Sequence, residues 1–168
     1  MALAALVLLG CSNTEPLAPV DKTAEERESL LLSTVHVADP RTFEQLLGGF
    51  HQLEGGSWRW TEREFSVLLE PPPPVPLHSS SLEFHFSVPE ATIAALGSVT
   101  ITARLNGVEL GSETISEAAQ DIVFIRPVPS ALLETPPLRA SFHLDNVMAP
   151  TPQDQRELGI IAISIALR

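Results

Sequence analysis

The sequence predicts an all-β fold: an antiparallel β-sandwich of two sheets, jelly-roll or immunoglobulin-like, with about eight strands. Three observations support this prediction. Apolar and polar residues alternate over most of the chain from residue 58 onward, which is typical of strands with one buried face. Fifteen prolines and short turn signals interrupt the chain too often for long helices. With 44% hydrophobic and 18% charged residues, the 168-residue chain can build one core.

The first strands follow directly from the alternation. Apolar residues at every second position predict strands over residues 64–70 and 82–88. Four consecutive prolines at 71–74 separate these two strands, because proline cannot donate to a sheet ladder.

The clearest local signal is a hairpin between residues 99–105 and 108–115. Asn106-Gly107 lies between these two runs, and this pair tolerates the positive φ angles of a type I′ turn. The turn predicts a cross-strand register of Leu105 opposite Val108, Ala103 opposite Leu110, and Arg104 opposite Glu109.

The remaining elements lie after this hairpin. The uninterrupted apolar run 122–125 predicts a strand buried on both faces, and Ser130 is expected to cap a brief turn through Leu133. Residues 138–144 alternate cleanly and predict another strand. The chain ends in a predicted central strand, 158–167, and four of its large apolar residues are expected to share one face: Ile161, Ile163, Ile165 and Leu167.

The N-terminal residues resemble an export signal. Residues 2–9 are all apolar but too few to span a bilayer, which needs about 20 helical residues. Their length suits the apolar part of a secretory signal, although no basic residue precedes them. The run ends in Leu8-Leu9-Gly10-Cys11, which resembles a bacterial lipobox and contains the only cysteine of the chain. The alternative is an apolar cytosolic N-terminus with an incidental buried cysteine.

The lipobox resemblance implies a lipid-anchored protein of the bacterial cell envelope. In that family the signal is cut before the cysteine, so Cys11 would carry the lipid and contact the membrane. Ser12, in place of Asp, is similar to an outer-membrane sorting signal, with the domain facing the periplasm or the cell surface. The resulting organisation is a signal peptide at 1–10, a lipidated cysteine and flexible tether at 11–40, and a β-sandwich domain at 41–168.

Charge and motif content exclude several classes of function. The net charge of −11 repels phosphate backbones, so nucleic acid is not an expected partner. The sequence contains no Gly-x-Ser-x-Gly, His-Glu-x-x-His or phosphate-loop motif, so no catalytic residue and no cofactor is predicted. The histidines show no metal-ligand spacing. His85 and His143 both fall on the outward phase of strands, and a surface role is favoured over a metal site.

Two segments depart from this plain pattern. Trp58 and Trp60, the two tryptophans of the chain, flank Arg59 and lie on one face of any strand. A charged run containing Asp154 and Arg156 leads directly into the most apolar strand, where its charges need each other or a ligand.

These segments carry a resemblance over residues 48 to 168. Gly49-Phe50, Glu54, Arg59-Trp60-Thr61, the Asn-Gly hairpin and Asp154-x-Arg156-x-Leu158-Gly159 together resemble a small β-sandwich domain found beside bacterial glycosyltransferases and surface-polysaccharide proteins. The resemblance implies an association with carbohydrate. The positions it marks are Gly49, Glu54, Arg59, Trp60, Asp154, Arg156 and Gly159.

The leading hypothesis is therefore a non-catalytic envelope lipoprotein that binds glycan or a partner in envelope polysaccharide assembly. Its candidate ligand-binding residues are Glu54, Trp58, Arg59, Trp60, Asp154 and Arg156. In the structural alternative, the tryptophans belong to the core and the four charged residues form an ion-pair cluster. Two functional alternatives remain: a protein-binding or scaffolding lipoprotein with no sugar site, and a hydrolase that uses Glu54 and Asp154 as a carboxylate pair.

Overall fold

A computed structural model describes residues 31–71 and 80–168. The signal peptide at 1–10, Cys11 and most of the predicted tether lie outside the described residues. Within them, nine β-strands form one connected sheet in which every pairing is antiparallel. The strands are β1 (Thr34–His36), β2 (Leu46–Glu54), β3 (Trp58–Leu69), β4 (Ser81–Val88), β5 (Val99–Leu105), β6 (Val108–Ile115), β7 (Ala119–Pro127), β8 (Leu138–Leu144) and β9 (Ile161–Leu167).

Helical structure is limited to short connections. Helix α1 (Glu90–Leu96) joins β4 to β5, and two 3₁₀ turns cover Pro40–Gln45 and Ser130–Leu133. The predicted turn at Ser130 is therefore confirmed. Its cap is not, because the structure places Pro129 at the N-cap with no side-chain hydrogen bond.

The sheet curls until its two ends meet. The strand order is β6-β5-β8-β3-β9-β4-β7, with β1 added beside β9 and β2 beside β3. At the ends of this path, the Arg126 side chain on β7 donates to the backbone carbonyl of Ser112 on β6 at 2.6 Å. The sheet is therefore nearly barrel-shaped, and the predicted all-β antiparallel class is confirmed.

Strand β3 changes its neighbour along its length. Its start pairs with β9 through Arg59 and Trp60, whereas its second half, Glu64 to Leu69, pairs with β8. Where β3 leaves β9, the short strand β1 takes its place, with Val35 opposite Ile165.

The boundary drawn at residue 40 between tether and domain therefore needs correction. Residues 34–36 belong to the sheet, and Val35 and Val37 are fully buried in the core. The physical reason is that the backbone of β9 requires a hydrogen-bonding partner beyond the point where β3 departs. A strand of three residues is too short to show an alternation in the sequence.

Phenylalanines from several strands form the centre of the core. The rings of Phe65 on β3 and Phe142 on β8 are stacked at 5.0 Å between centroids. Phe84 on β4 lies 4.8 Å from Phe142 and 4.9 Å from Phe86. All four side chains are buried, as the alternation of residues 64–70, 82–88 and 138–144 predicts.

The hairpin turn is confirmed, but its register holds only near the turn. Asn106 and Gly107 have φ angles of 48° and 82°, and Leu105 pairs with Val108. Arg104 pairs with Glu109, with 2.9 Å between Nη2 and Oε2. The expected pairing of Ala103 with Leu110 is wrong: Ala103 pairs with Gly111, because a bulge at this point adds one residue to β6.

A second bulge divides the apolar residues of β9 between two faces. Phe86 pairs with Ala162 and His85 with Ser164, so Ile163 is the extra residue on β9. As a result Ile165 and Leu167 are buried, whereas Ile161 and Ile163 are only half-buried. The central position of this strand is confirmed, and the prediction that its four large residues share one face is wrong.

The run 122–125 is also only partly buried. Phe124 lies in the core, but the side chains of Val123 and Ile125 are 42% and 49% exposed. The prediction of a strand buried on both faces is wrong, because only one face of β7 packs against the core.

Two adjacent glycines give a direct test of the β2–β3 packing. Gly49 has a φ of +80°, and a Cβ there would overlap the carbonyl oxygen of Glu64, whereas a Cβ at Gly48 would meet nothing within 4 Å. We expect Gly49→Ala to lower the free energy of unfolding by at least about 2 kcal/mol and Gly48→Ala to change it by less than about 0.5 kcal/mol. Urea denaturation with unchanged m-values measures both effects. Equal effects of the two variants would contradict this packing.

Candidate functional site

An open cleft lies beside the start of β3. Its volume is about 640 Å³, and β3, β4 and β9 contribute to it together with the first residues of α1 and β7 and the residues just before them. The residues that matter for its chemistry are Trp58, Ser87, Glu90, Gln120, Ile161 and Ile163. Among the residues that the structure describes, Glu90 is the only charged one that lines the cleft.

The apolar wall of the cleft follows from strand register. Trp60 pairs directly with Ile161, so these two side chains lie on the same face of the sheet. Trp58 lies two residues before Trp60 and shares that face, and the bulge in β9 turns Ile163 toward the cleft. Both tryptophans are half-buried, and their rings meet edge to face at 6.3 Å. They are therefore not core residues, and Trp58 presents surface to the cleft.

The predicted ion-pair cluster forms around Arg156. Its Nη1 donates to Glu54 Oε1 at 2.6 Å, while its Nη2 and Nε donate to the two carboxylate oxygens of Asp154 at 2.8 and 2.9 Å. Glu54 ends β2, and the other two residues belong to the segment that leads into β9. The cluster therefore ties the β2–β3 hairpin to a part of the chain about a hundred residues away.

The same contacts fix the charge of Asp154. Hydrogen bonds from the Arg156 side chain and backbone lower the pKa of Asp154 to about 2, and the same pairing raises the pKa of Arg156. A glycosidase acid needs a carboxyl group whose pKa is raised toward neutrality. Asp154 has the opposite environment, so Asp154 does not fit the role of the acid in the hydrolase alternative.

Arg59 does not join this cluster, contrary to the structural alternative drawn from the sequence. Its Nε donates to the carbonyl of Val37 at 2.8 Å and its Nη1 to the carbonyl of His51 at 2.9 Å. The guanidinium carbon also lies 4.8 Å from the centroid of the Phe43 ring. Partial burial lowers the pKa of Arg59. This side chain fastens the end of β1 and the middle of β2 to β3.

Further contacts beside the cluster involve His51, Arg63 and Glu157, which the sequence did not single out. His51 Nε2 lies 2.6 Å from the carbonyl oxygen of Glu157, and a carboxylate oxygen of Glu157 accepts from the backbone N–H of Arg63 at 2.9 Å. The Gly159 N–H donates to the carbonyl of Thr61 at 2.7 Å. A Cβ at Gly159 would lie only 2.7 Å from Thr61 Oγ1, which explains why glycine fits this position.

The positions marked by the family resemblance are therefore involved in packing. Gly49 and Gly159 allow close backbone approach, and Glu54, Arg156 and Asp154 bind one another. No family model matches the chain, and comparison with curated proteins gives no match either.

The described residues offer no further candidate for a metal site or for a membrane-spanning helix. Among residues 31–71 and 80–168, no group of three or more His, Cys, Asp or Glu side chains is placed to hold a metal ion. His85 and His143 lie on β4 and β8, with β9 and β3 between these strands. In the same part of the chain, no helix has the length and apolar character needed to cross a membrane.

The pH dependence of stability tests the Arg156 cluster. Because the folded-state pKa of Asp154 is lowered to about 2, its stabilising contribution is complete above the unfolded pKa of about 3.9. It is lost as the pH falls from about 4 toward 2. We expect Asp154→Asn to lower the urea midpoint at pH 7 and the difference from wild type to disappear near pH 2.

Asp39→Asn is the matched control for that experiment. Asp39 also binds an arginine two residues away, Arg41, but this pair is exposed and ties no distant segments together. We expect a smaller loss of stability at pH 7 than for Asp154→Asn. A difference between wild type and Asp154→Asn that stays constant down to pH 2 would contradict the assignment.

Proposed function

We propose that this protein is a non-catalytic lipoprotein of the bacterial cell envelope, anchored through Cys11, whose β domain binds glycan or a partner in envelope polysaccharide assembly. The glycan site of this proposal is the cleft beside Trp58. The observation that carries it is the half-buried Trp58, which forms part of the wall of an open cleft of about 640 Å³. Polar side chains line the same cleft. Aromatic surface combined with a few hydrogen-bonding groups is the chemistry that recognises a sugar.

The lining of the cleft favours an uncharged saccharide. Ser87 and Gln120 offer hydrogen-bonding groups, Ile161 and Ile163 offer apolar surface, and Glu90 adds one negative charge. A volume of about 640 Å³ lies within the range of small-molecule sites. The net charge of −11 repels acidic polymers from the domain as a whole.

In this proposal the ion-pair cluster positions the site and does not touch the ligand. Glu54 pairs directly with Trp58 across the β2–β3 hairpin. By holding Glu54, Arg156 fixes the hairpin that carries the tryptophan. Arg59 supports the same strand through its two backbone carbonyl acceptors.

We further interpret the bent sheet as two layers, which corresponds to the jelly-roll or immunoglobulin-like sandwich predicted from the sequence. One layer would contain β1, β9, β4 and β7, and the other β2, β8, β5 and β6. The change of partner along β3, from β9 to β8, supports this interpretation because one strand would then serve both layers.

A protein partner is the second candidate function. Val123 and Ile125 expose large apolar side chains next to each other on one face of β7. Exposed apolar surface of this kind favours protein association more than sugar binding. This observation supports the scaffolding alternative if the Trp58 cleft proves unresponsive to glycan.

The two tryptophans allow the site to be tested one residue at a time. The chain contains two Trp and no Tyr, so Trp60→Phe leaves Trp58 as the only strong fluorophore, and Trp58→Phe leaves Trp60. We expect acrylamide to quench Trp58, and fragments of envelope polysaccharide to shift its emission saturably. We expect at least a tenfold loss of affinity in Trp58→Phe relative to Trp60→Phe, since stacking surface at the cleft is lost.

Val123→Ser is the control variant for this titration, because it changes the exposed face of β7 and leaves the cleft unchanged. It should bind the fragments as tightly as wild type. Unchanged emission of Trp58 at every fragment concentration would reject the glycan site and favour the protein partner.

The proposed anchor has its own test. In a bacterial host, we expect the full chain to incorporate a radiolabelled fatty acid and to sediment with membranes. Cys11→Ala should lose both the label and the membrane association, because the lipid attaches to that sulfur. Ser12→Ala is the neighbouring control and should retain both. Labelling that persists in Cys11→Ala would contradict the proposal.

A further inference from the structure

A second concave surface lies on the part of the sheet where β3, β8 and β5 run side by side. Its volume is about 540 Å³, and its polar side chains come from all three strands. We refer to it as the arginine groove, defined by Ser66, Arg104, Arg139, Ser141 and His143. None of these residues lines the Trp58 cleft.

Strand register brings these side chains to one face. Ser141 on β8 pairs with Ser66 on β3 and with Arg104 on β5, so the three residues form one row across the sheet. Arg139 lies two residues before Ser141 and therefore on the same face. Diagonal neighbours on adjacent strands are about 7 to 8 Å apart, which is within reach of an arginine side chain.

Arg139 differs from the other arginines in its hydrogen bonding. Every other arginine in the described ranges 31–71 and 80–168 donates side-chain N–H groups to a carboxylate or a backbone carbonyl. The guanidinium of Arg139 instead donates one hydrogen bond, from Nη2 to Ser66 Oγ at 3.1 Å. Ser66 is only 5% exposed, so its hydroxyl is a fixed support for that guanidinium.

The groove also contains one acidic residue, Glu64, and the other ionisable side chains that line it have partners. Arg104 pairs with Glu109 at 2.9 Å, and His143 Nδ1 lies 3.4 Å from Glu64 Oε1. Arg139 is thus the positive charge in this groove without an acidic partner among the described residues. On a protein of net charge −11, such a cation is unusual and is available to a ligand.

We propose that the arginine groove binds a single oxyanion group, a carboxylate or a phosphate monoester, through the Arg139 guanidinium and the Ser141 hydroxyl. The planar guanidinium fork matches both groups and forms two parallel hydrogen bonds with either. The acidic surface outside the groove repels polyanions, so the ligand carries one isolated anionic group. This site is separate from the proposed glycan cleft, and neither depends on the other.

The test is an NMR titration of the full chain at constant ionic strength with inorganic phosphate, with glucuronate, and with glucose as the uncharged probe. We expect saturable shifts of the Ser66, Gly107 and Ser141 amides with the two anions and none there with glucose. A phosphate that binds more tightly than glucuronate identifies a phosphate ligand, and the reverse order identifies a sugar acid.

Variants separate a built site from general attraction. Arg139→Gln should weaken anion binding about tenfold or more, because it removes a charge-assisted pair of hydrogen bonds. Ser141→Ala should also weaken it, and it provides a second reading if Arg139→Gln does not fold. The control, Arg41→Gln, alters an exposed arginine paired with Asp39 and should bind as wild type. Shifts that rise linearly without saturation, or anion affinities of both groove variants equal to that of wild type, would overturn the proposal.

Discussion

The pairing of both edges of β3 is the constraint around which the sheet is arranged. This twelve-residue strand pairs with β2 on one side and with β9 and then β8 on the other. Unpaired backbone groups in a core are costly, so the departure of β3 from β9 requires another partner, which β1 supplies. Other segments also pack closely against β3. Strand β2 approaches it at Gly49, and the Gly159 N–H donates to its Thr61 carbonyl.

Alternation in the sequence predicts β4, β5 and β8 well, because each of these strands has one face in the core throughout its length. It fails at Leu110 and Ile163, where a bulge inserts one residue and exchanges the inward and outward positions that follow. Gly111, with a φ of 132°, lies at the first bulge, and a glycine inside a strand pattern is a signal for one. No residue type marks the bulge at Ile163, which results from the fit between neighbouring strands. The second bulge matters for the proposed glycan site because it turns Ile163 toward the Trp58 cleft.

The sequence predicts those contacts of the candidate site that join two charged side chains, but not those that join a side chain to a backbone carbonyl. Glu54, Asp154 and Arg156 are charges beside apolar strands, and such charges must find partners, so their association could be expected. Arg59 could not be placed in the same way, because its acceptors are the backbone carbonyls of Val37 and His51, and every residue has a carbonyl. The arginine groove likewise depends on the register of three strands, and the residues around Arg139 in the sequence do not reveal that register.

The Trp58 cleft and the arginine groove lie on the same face of β3, and the two proposals give them different ligands. Alternation places Trp58, Trp60, Glu62, Glu64 and Ser66 along that face. Glu62 is exposed between the two surfaces, and Glu64 is exposed at the edge of the arginine groove. From Trp60 to Ser66 the strand rises by about 20 Å, so one or two sugar units cannot reach both. A longer acidic chain would have to pass the two glutamates, which repel it. If both proposals hold, the two contacts are independent: an uncharged saccharide at the Trp58 cleft and an isolated anionic group at Arg139.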